Sequence, residues 1–134
     1  MVDKLILNVD GASRGNPGPA AIGITFKNEK LRLLASISKT IGVATNNQAE
    51  YRALIAGLEK AIQLGAREVV VNSDSELLVK QLQGHYRVKN AELKSLYLEV
   101  VKLAYSLPVF RIEAIPREQN READNLANKA LDGQ

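Results

Sequence analysis

The sequence predicts an α/β fold: a five-stranded mixed sheet flanked by helices, with elements in the order βββαβααβα. Three observations carry this. Up to Ile41 the chain reads as three strand-like runs separated by turn formers. The hydrophobic period then lengthens to that of amphipathic helices. Two further short apolar runs, Val69-Val70-Val71 and the segment from Val109 to Ile115, fall between helical stretches. Strands followed by helix–strand alternation imply a mixed sheet with helices packed on it.

In the first run Leu5, Leu7 and Val9 alternate with Ile6, Asn8 and Asp10, which marks a strand ending at Asp10. Gly11 to Pro19 is dense in turn formers. Ala20–Phe26 and Leu31–Ile41 read as the next two strands, joined by a turn near Lys27-Asn28-Glu29. From Gln48 to Leu64 the residues Tyr51, Leu54, Ile55, Leu58 and Ile62 form a helical stripe, with Gly65 placed as a C-terminal cap. Val69–Val71 suits a central strand covered on both faces. Ser75–Gln83 is a short helix and Gly84–Lys89 a connector. Ala91–Ser106 forms a longer helix through Leu93, Leu96, Val100, Leu103 and Ala104. Asn120–Leu131 closes the chain as a helix with Ala123, Leu126, Ala127 and Ala130 inward.

A length of 134 residues fits one domain, expected to span 1–134. With no cysteine, neither a disulfide framework nor a thiolate metal site can form. No apolar stretch approaches the roughly 20 residues that cross a bilayer, and Met1-Val2-Asp3-Lys4 does not open a signal peptide. A soluble, cytoplasmic monomer is expected. The formal charge of +3 is a mild hint of a polyanionic partner.

Four acids stand at element ends: Asp10 after the first strand, Asp74 after Val69–Val71, Glu50 opening the first long helix and Asp124 opening the last. Each has an ordinary explanation. Asp10-Gly11 reads as a turn. Asn47-x-x-Glu50 and Ser73-x-x-Glu76 read as helix capping boxes, and Asp124 as a charge suited to a helix start. Together they mean more. If the Val69–Val71 strand lies parallel to the first, all four acids approach one edge of one sheet, where open α/β sheets place ligands. Bunched carboxylates repel unless cations neutralise them. An all-oxygen cage suits Mg²⁺ or Mn²⁺, and two such ions about 4 Å apart can assist phosphodiester displacement.

At these residues the chain resembles type 1 ribonuclease H, over essentially its whole length. The matching segments are Asp10-Gly11-Ala12-Ser13-Arg14-Gly15-Asn16-Pro17-Gly18-Pro19, Thr45-Asn46-Asn47-Gln48-Ala49-Glu50, Asn72-Ser73-Asp74-Ser75 and Glu122-Ala123-Asp124-Asn125-Leu126-Ala127. The resemblance implies a ribonuclease H-like fold and cleavage of the RNA strand of an RNA–DNA hybrid, giving 5′-phosphate and 3′-hydroxyl ends. It implies that Asp10 bridges two metal ions. Asp124 would help hold the one that activates water, and Glu50 and Asp74 the one at the leaving oxygen. Gly15, Asn16, Asn46, Asn47 and Gln48 correspond to the region that reads RNA 2′-hydroxyls, for which amides are chemically apt. Thr45 corresponds to a contact with a DNA-strand phosphate. Helix capping is the competing reading of Asn46-Asn47.

Two departures stand out. Many relatives carry a histidine before the last acid; here the loop reads Ile115-Pro116-Arg117-Glu118-Gln119-Asn120. Either Arg117 or Glu118 stands in for it, or the loop is merely solvated and product release is less efficient. The one histidine, His85, reads as a surface or packing residue. The basic protrusion of some relatives is missing, since His85-Tyr86-Arg87-Val88-Lys89 is too short for it. Weaker, salt-sensitive binding follows. Tyr86 is open to two readings, a stacking contact on the DNA strand or a core tyrosine. Two alternatives to the hybrid-cutting enzyme remain: a catalytically silent hybrid- or RNA-binding module, and additional cleavage of RNA–RNA duplex.

Overall fold

Alternation and turn chemistry at the start of the chain produce a meander. In the computed structural model, which describes residues 3–133, β1 (Lys4–Ser13), β2 (Gly18–Lys27) and β3 (Leu33–Ala44) are consecutive antiparallel partners. The helix α1 (Asn46–Gln63) then crosses to β4 (Glu68–Ser73), which lies parallel to β1 with Leu5 opposite Val69 and Val9 opposite Ser73. α2 (Glu76–Leu82) and α3 (Ala91–Tyr105) lead to β5 (Val109–Ala114), parallel to β4. A single 3₁₀ turn, Arg117–Gln119, precedes α4 (Arg121–Asp132). The sheet runs β3-β2-β1-β4-β5. The order of major elements is the one read from the sequence, and no protrusion interrupts residues 83–90.

Helices cover both faces. α1 packs on β1 and β2 and is itself backed by α3, whereas α4 packs on β1, β2 and β3 from the opposite side. Leu5, Leu7, Val9, Ile22, Ile24 and Phe26 of the sheet meet Tyr51, Leu54 and Leu58 of α1, all essentially without solvent exposure. Each such aliphatic side chain contributes on the order of 1.5–3 kcal/mol when fully buried. Among the described residues no helix is long and apolar enough to cross a membrane.

Several local expectations are corrected. β1 does not end at Asp10; pairing with β2 carries it to Ser13, whereas the ladder with β4 stops at Val9. Asp10 thus lies mid-strand on one side and beyond the ladder on the other. The second turn is longer than expected. Asn28 Oδ1 accepts the N–H groups of Lys30 and Arg32, and Leu31 takes a positive φ of 61°, so β3 starts only at Leu33. The cap of α1 is Thr45, not Asn47: Thr45 Oγ1 accepts from Gln48 N and Gln48 Oε1 accepts from Thr45 N. The cap of α2 is Ser75, not Ser73. Tyr86 is about half exposed, which removes it from the core.

Candidate active site

Two glycines let the helices close on Asp10. A Cβ on Gly11 would lie 2.2 Å from the Ala49 carbonyl carbon and 2.4 Å from Glu50 N. Only hydrogen there allows the first turn of α1 to rest on β1. On the other face Gly23, the cross-strand partner of Asp10, stands so close under α4 that a Cβ would come within 2.1 Å of Ala123 O. The chain therefore brings Glu50 and Asp124 to Asp10 by two backbone-to-backbone contacts. Neither glycine is singled out by periodicity.

Asp10, Glu50 and Asp74 each present a carboxylate oxygen, all within 4.8 Å of one another. They line an open cleft of about 480 Å³ with Gly11, Ser13, Asn46, Ser75, Arg117, Asp124 and Asn128. Asp124 shares the cleft but lies outside the three-acid group. Its carboxylate takes an N–H from Asn128 Nδ2 at 3.3 Å.

The electrostatics are those of crowded, partly desolvated acids. Burial pushes the Asp10 carboxyl up to about 9, and the charges of Glu50 and Asp74 push the same way. Burial likewise raises Glu50 to about 8, against the Gly11 N–H that its Oε1 accepts. Asp74 is raised by burial, while the Arg117 guanidinium and the Asn120 amide favour its ionised form. Fully ionised, this group is unfavourable without a neutralising cation. Three close carboxylates with no sulfur or imidazole suit a divalent, oxygen-preferring ion.

The other sequence-derived residues divide between the cleft and its surroundings. Gly15 (φ +124°) and Asn16 form the exposed turn between β1 and β2. Asn16 Oδ1 accepts from Asn46 N at 3.0 Å, which docks that turn on the start of α1. Asn46 lines the cleft, and Asn47 is exposed beside it. Thr45 and Gln48 are engaged in the cap, and Gln48 Nε2 also donates to Glu92 Oε2 at 2.5 Å. Arg117 lines the cleft itself. Glu118 lines an adjoining hollow of about 250 Å³ with Arg117, Arg121 and Asp124. His85 is exposed on the connector.

Sequence reasoning missed Asn120 and Asn128. Asn120 is 1% exposed, and its Nδ2 donates to Val9 O at 2.9 Å. Its spacing of one helical turn from Asp124 was the available signal.

A family model described as reverse transcriptase-like matches residues 8–130. The bifunctional protein Rv2228c of Mycobacterium tuberculosis is 45% identical over 130 residues, covering 96% of this chain and 36% of that protein. Ribonuclease HI of Halobacterium salinarum is 44% identical over 123 residues, 92% of this chain and 62% of the relative. The chain thus spans about a third of the mycobacterial relative's length and under two thirds of the halobacterial one's. The crystal structure of the Halobacterium enzyme superposes with a TM-score of 0.96 at 41% identity, over 98% of this chain and 99% of that one. LC11-RNase H1, isolated from compost, was crystallised in complex with an RNA/DNA hybrid. That structure gives a TM-score of 0.92 at 42% identity, over 96% of this chain and 97% of its own. The fold, the acid cleft and these likenesses converge: the chain belongs to the ribonuclease H family and is a homologue of ribonuclease HI.

Proposed function

We propose that this chain is a ribonuclease H that cuts the RNA strand of RNA–DNA hybrids internally and leaves 5′-phosphate and 3′-hydroxyl ends. The observation that carries the proposal is the convergence of Asp10, Glu50 and Asp74 within 4.8 Å on the floor of an open cleft. Similarity to LC11-RNase H1, a structure holding an RNA/DNA hybrid, supports the substrate class. The whole of residues 1–134 would form one such domain, acting as a cytoplasmic monomer.

The donor set fits two Mg²⁺ or Mn²⁺ ions in the substrate complex. Asp10 would be shared, Glu50 and Asp74 would hold one ion and Asp124 the other. When bound, such ions stabilise charge on the attacking and leaving oxygens of the phosphodiester. The protein's part is to hold these carboxylates close together and aimed, so that a bound cation favours their ionised forms. Glu50 is held by the Gly11 N–H, and the Arg117 guanidinium and Asn120 amide near Asp74 favour its ionised form. At the rim, Gly15, Asn16, Asn46 and Asn47 offer amide and backbone groups that pair with 2′-hydroxyls, the feature that separates RNA from DNA. Gln48, engaged in the cap and with Glu92, belongs to the same reading region, and Thr45 would contact a phosphate of the DNA strand. Tyr86, half exposed with Lys80 Nζ 5.1 Å from its ring centre, offers a stacking surface for that strand.

The test is Mg²⁺-dependent cleavage of a hybrid, an RNA duplex and a DNA duplex of one sequence. Cutting confined to the RNA strand of the hybrid is expected, with any RNA-duplex cleavage slower. A folded protein that binds hybrid but cuts nothing would make the domain a binding module. Efficient cutting of the DNA duplex would overturn the 2′-hydroxyl assignment.

A further inference from the structure

Asn120 stands at the N-cap of α4, yet its side chain makes no capping bond. Asparagine is favoured at that position because its side-chain oxygen accepts an N–H from the helix's first turn. Here the amide is turned away from the helix and buried against β1. Its Nδ2 donates to the Val9 carbonyl at 2.9 Å, and its Oδ1 accepts from Asn8 Nδ2 at 3.0 Å. Asn8 Oδ1 in turn accepts from Asn72 Nδ2 of β4 at 3.4 Å. The main chain of Asn120 reaches the loop and the helix: its N–H donates to Arg117 O at 2.9 Å, and its carbonyl accepts from Asp124 N at 3.1 Å.

These contacts surround the acids. Val9 immediately precedes Asp10, and its parallel partner Ser73 immediately precedes Asp74. Asn120 therefore joins the point where the β1–β4 ladder ends, one residue before each acid, to the turn that carries Asp124. A buried amide with both ends satisfied resists displacement, because movement leaves a donor or acceptor unpaired.

We propose that Asn120 is a positioning residue for the hydrolytic site, locking the first turn of α4, and with it Asp124, in register with Asp10. The inference rests on the ribonuclease H reading above. The missing helix cap is the mark of this role: the residue serves the geometry between elements instead of the stability of its own helix.

The test compares Asn120→Ala and Asn8→Ala with Leu131→Ala, a buried core position at the far end of the same helix. Mn²⁺ binding is measured by calorimetry without nucleic acid, and kcat and KM are measured on hybrid, all at a temperature where each variant is folded. Asn120→Ala should lower kcat or Mn²⁺ affinity by about tenfold or more, the range for groups that orient metal ligands, with KM nearly unchanged. Asn8→Ala should give a smaller loss of the same kind, and Leu131→Ala should alter neither quantity while lowering Tm. Wild-type kcat and Mn²⁺ affinity in folded Asn120→Ala, or a loss matched by Leu131→Ala, would overturn the proposal. If Asn120→Ala does not fold, Asn8→Ala decides it, and unchanged values there count against it. A wild-type protein that cuts no hybrid would refute the functional reading alone; the Mn²⁺ comparison would still judge Asn120.

Discussion

The two helices that bring acids to the cleft begin in opposite ways. α1 is capped from within: Thr45 and Gln48 satisfy each other's backbone groups across three residues, and Glu50 follows buried on the Gly11 N–H. α4 has no such local device. The side chain at its cap position is spent on Val9, 111 residues earlier, and Asp124 stays partly open to solvent. One support of the site is made by sequence neighbours and the other by the assembled sheet. A site built this way forms completely only when the sheet does, although α1 can begin on its own signal.

Removing what both supports serve should have the largest effect. Asp10→Asn should abolish cleavage, a loss of at least about a thousandfold or some 4 kcal/mol of barrier, with the fold intact. Its metal-free stability should hold near neutral pH, where the buried Asp10 carboxyl already keeps its proton, and rise above about pH 9, where the wild-type group would ionise among its crowded neighbours. Near-normal turnover under Mg²⁺ would mean that the two helices converge on something other than the catalytic centre.

The second expectation concerns pH. Burial holds Asp10 at about 9 and Glu50 at about 8, above the ordinary carboxylate value near 4. Between these limits the folded chain keeps protons that the unfolded chain has released. Metal-free stability is therefore greatest at the acid end of this window and falls as pH rises. The slope is at most about 1.4 kcal/mol per pH unit for each proton concerned. Urea melts in chelator across this range would measure it. Glu50→Gln should flatten the slope if the acid of α1 carries its share, whereas an unchanged slope would assign the effect to Asp10 and Asp74.

Neighbouring residues at the start of α1 should separate substrate contact from helix support. Asn46→Ala should weaken hybrid cleavage by roughly 1–3 kcal/mol, the cost of leaving a polar partner unsatisfied, and leave Tm nearly unchanged. Thr45→Ala should cost about 1 kcal/mol of stability through the lost cap. Equal effects of the two on Tm would erase the distinction.

The smallest expected effect lies in the loop before α4. Glu118→Ala should slow multiple turnover more than Arg117→Ala slows the single-turnover step, each by about threefold or less. Arginine keeps its proton at neutral pH and acts only as a fixed charge. Single- and multiple-turnover rates would check this, and unchanged rates in both variants would remove the loop from catalysis.

Short-range information made much of this protein legible in its sequence. Hydrophobic patterning identified every strand and major helix, as a period of two or of 3.6 or, for β4, as a short unbroken apolar run, because such patterns depend only on neighbouring residues. The four acids could be named because each stands beside turn formers or a helix start in the sequence, within segments that resemble type 1 ribonuclease H. Tertiary structure alone decided that Asp10 lies within a strand, because its pairing partner Gly23 comes from β2. The cap of α1 stays local: Thr45 and Asn47 are both chemically able to cap it, and the helix uses Thr45, paired reciprocally with Gln48. The close approaches at Gly11 and Gly23 and the turning of Asn120 onto β1 were, like the pairing of Asp10, decided by tertiary structure. Each is a contact between elements far apart in the chain, and no local pattern encodes it, since burial and backbone proximity arise only when helices settle on both faces of the finished sheet.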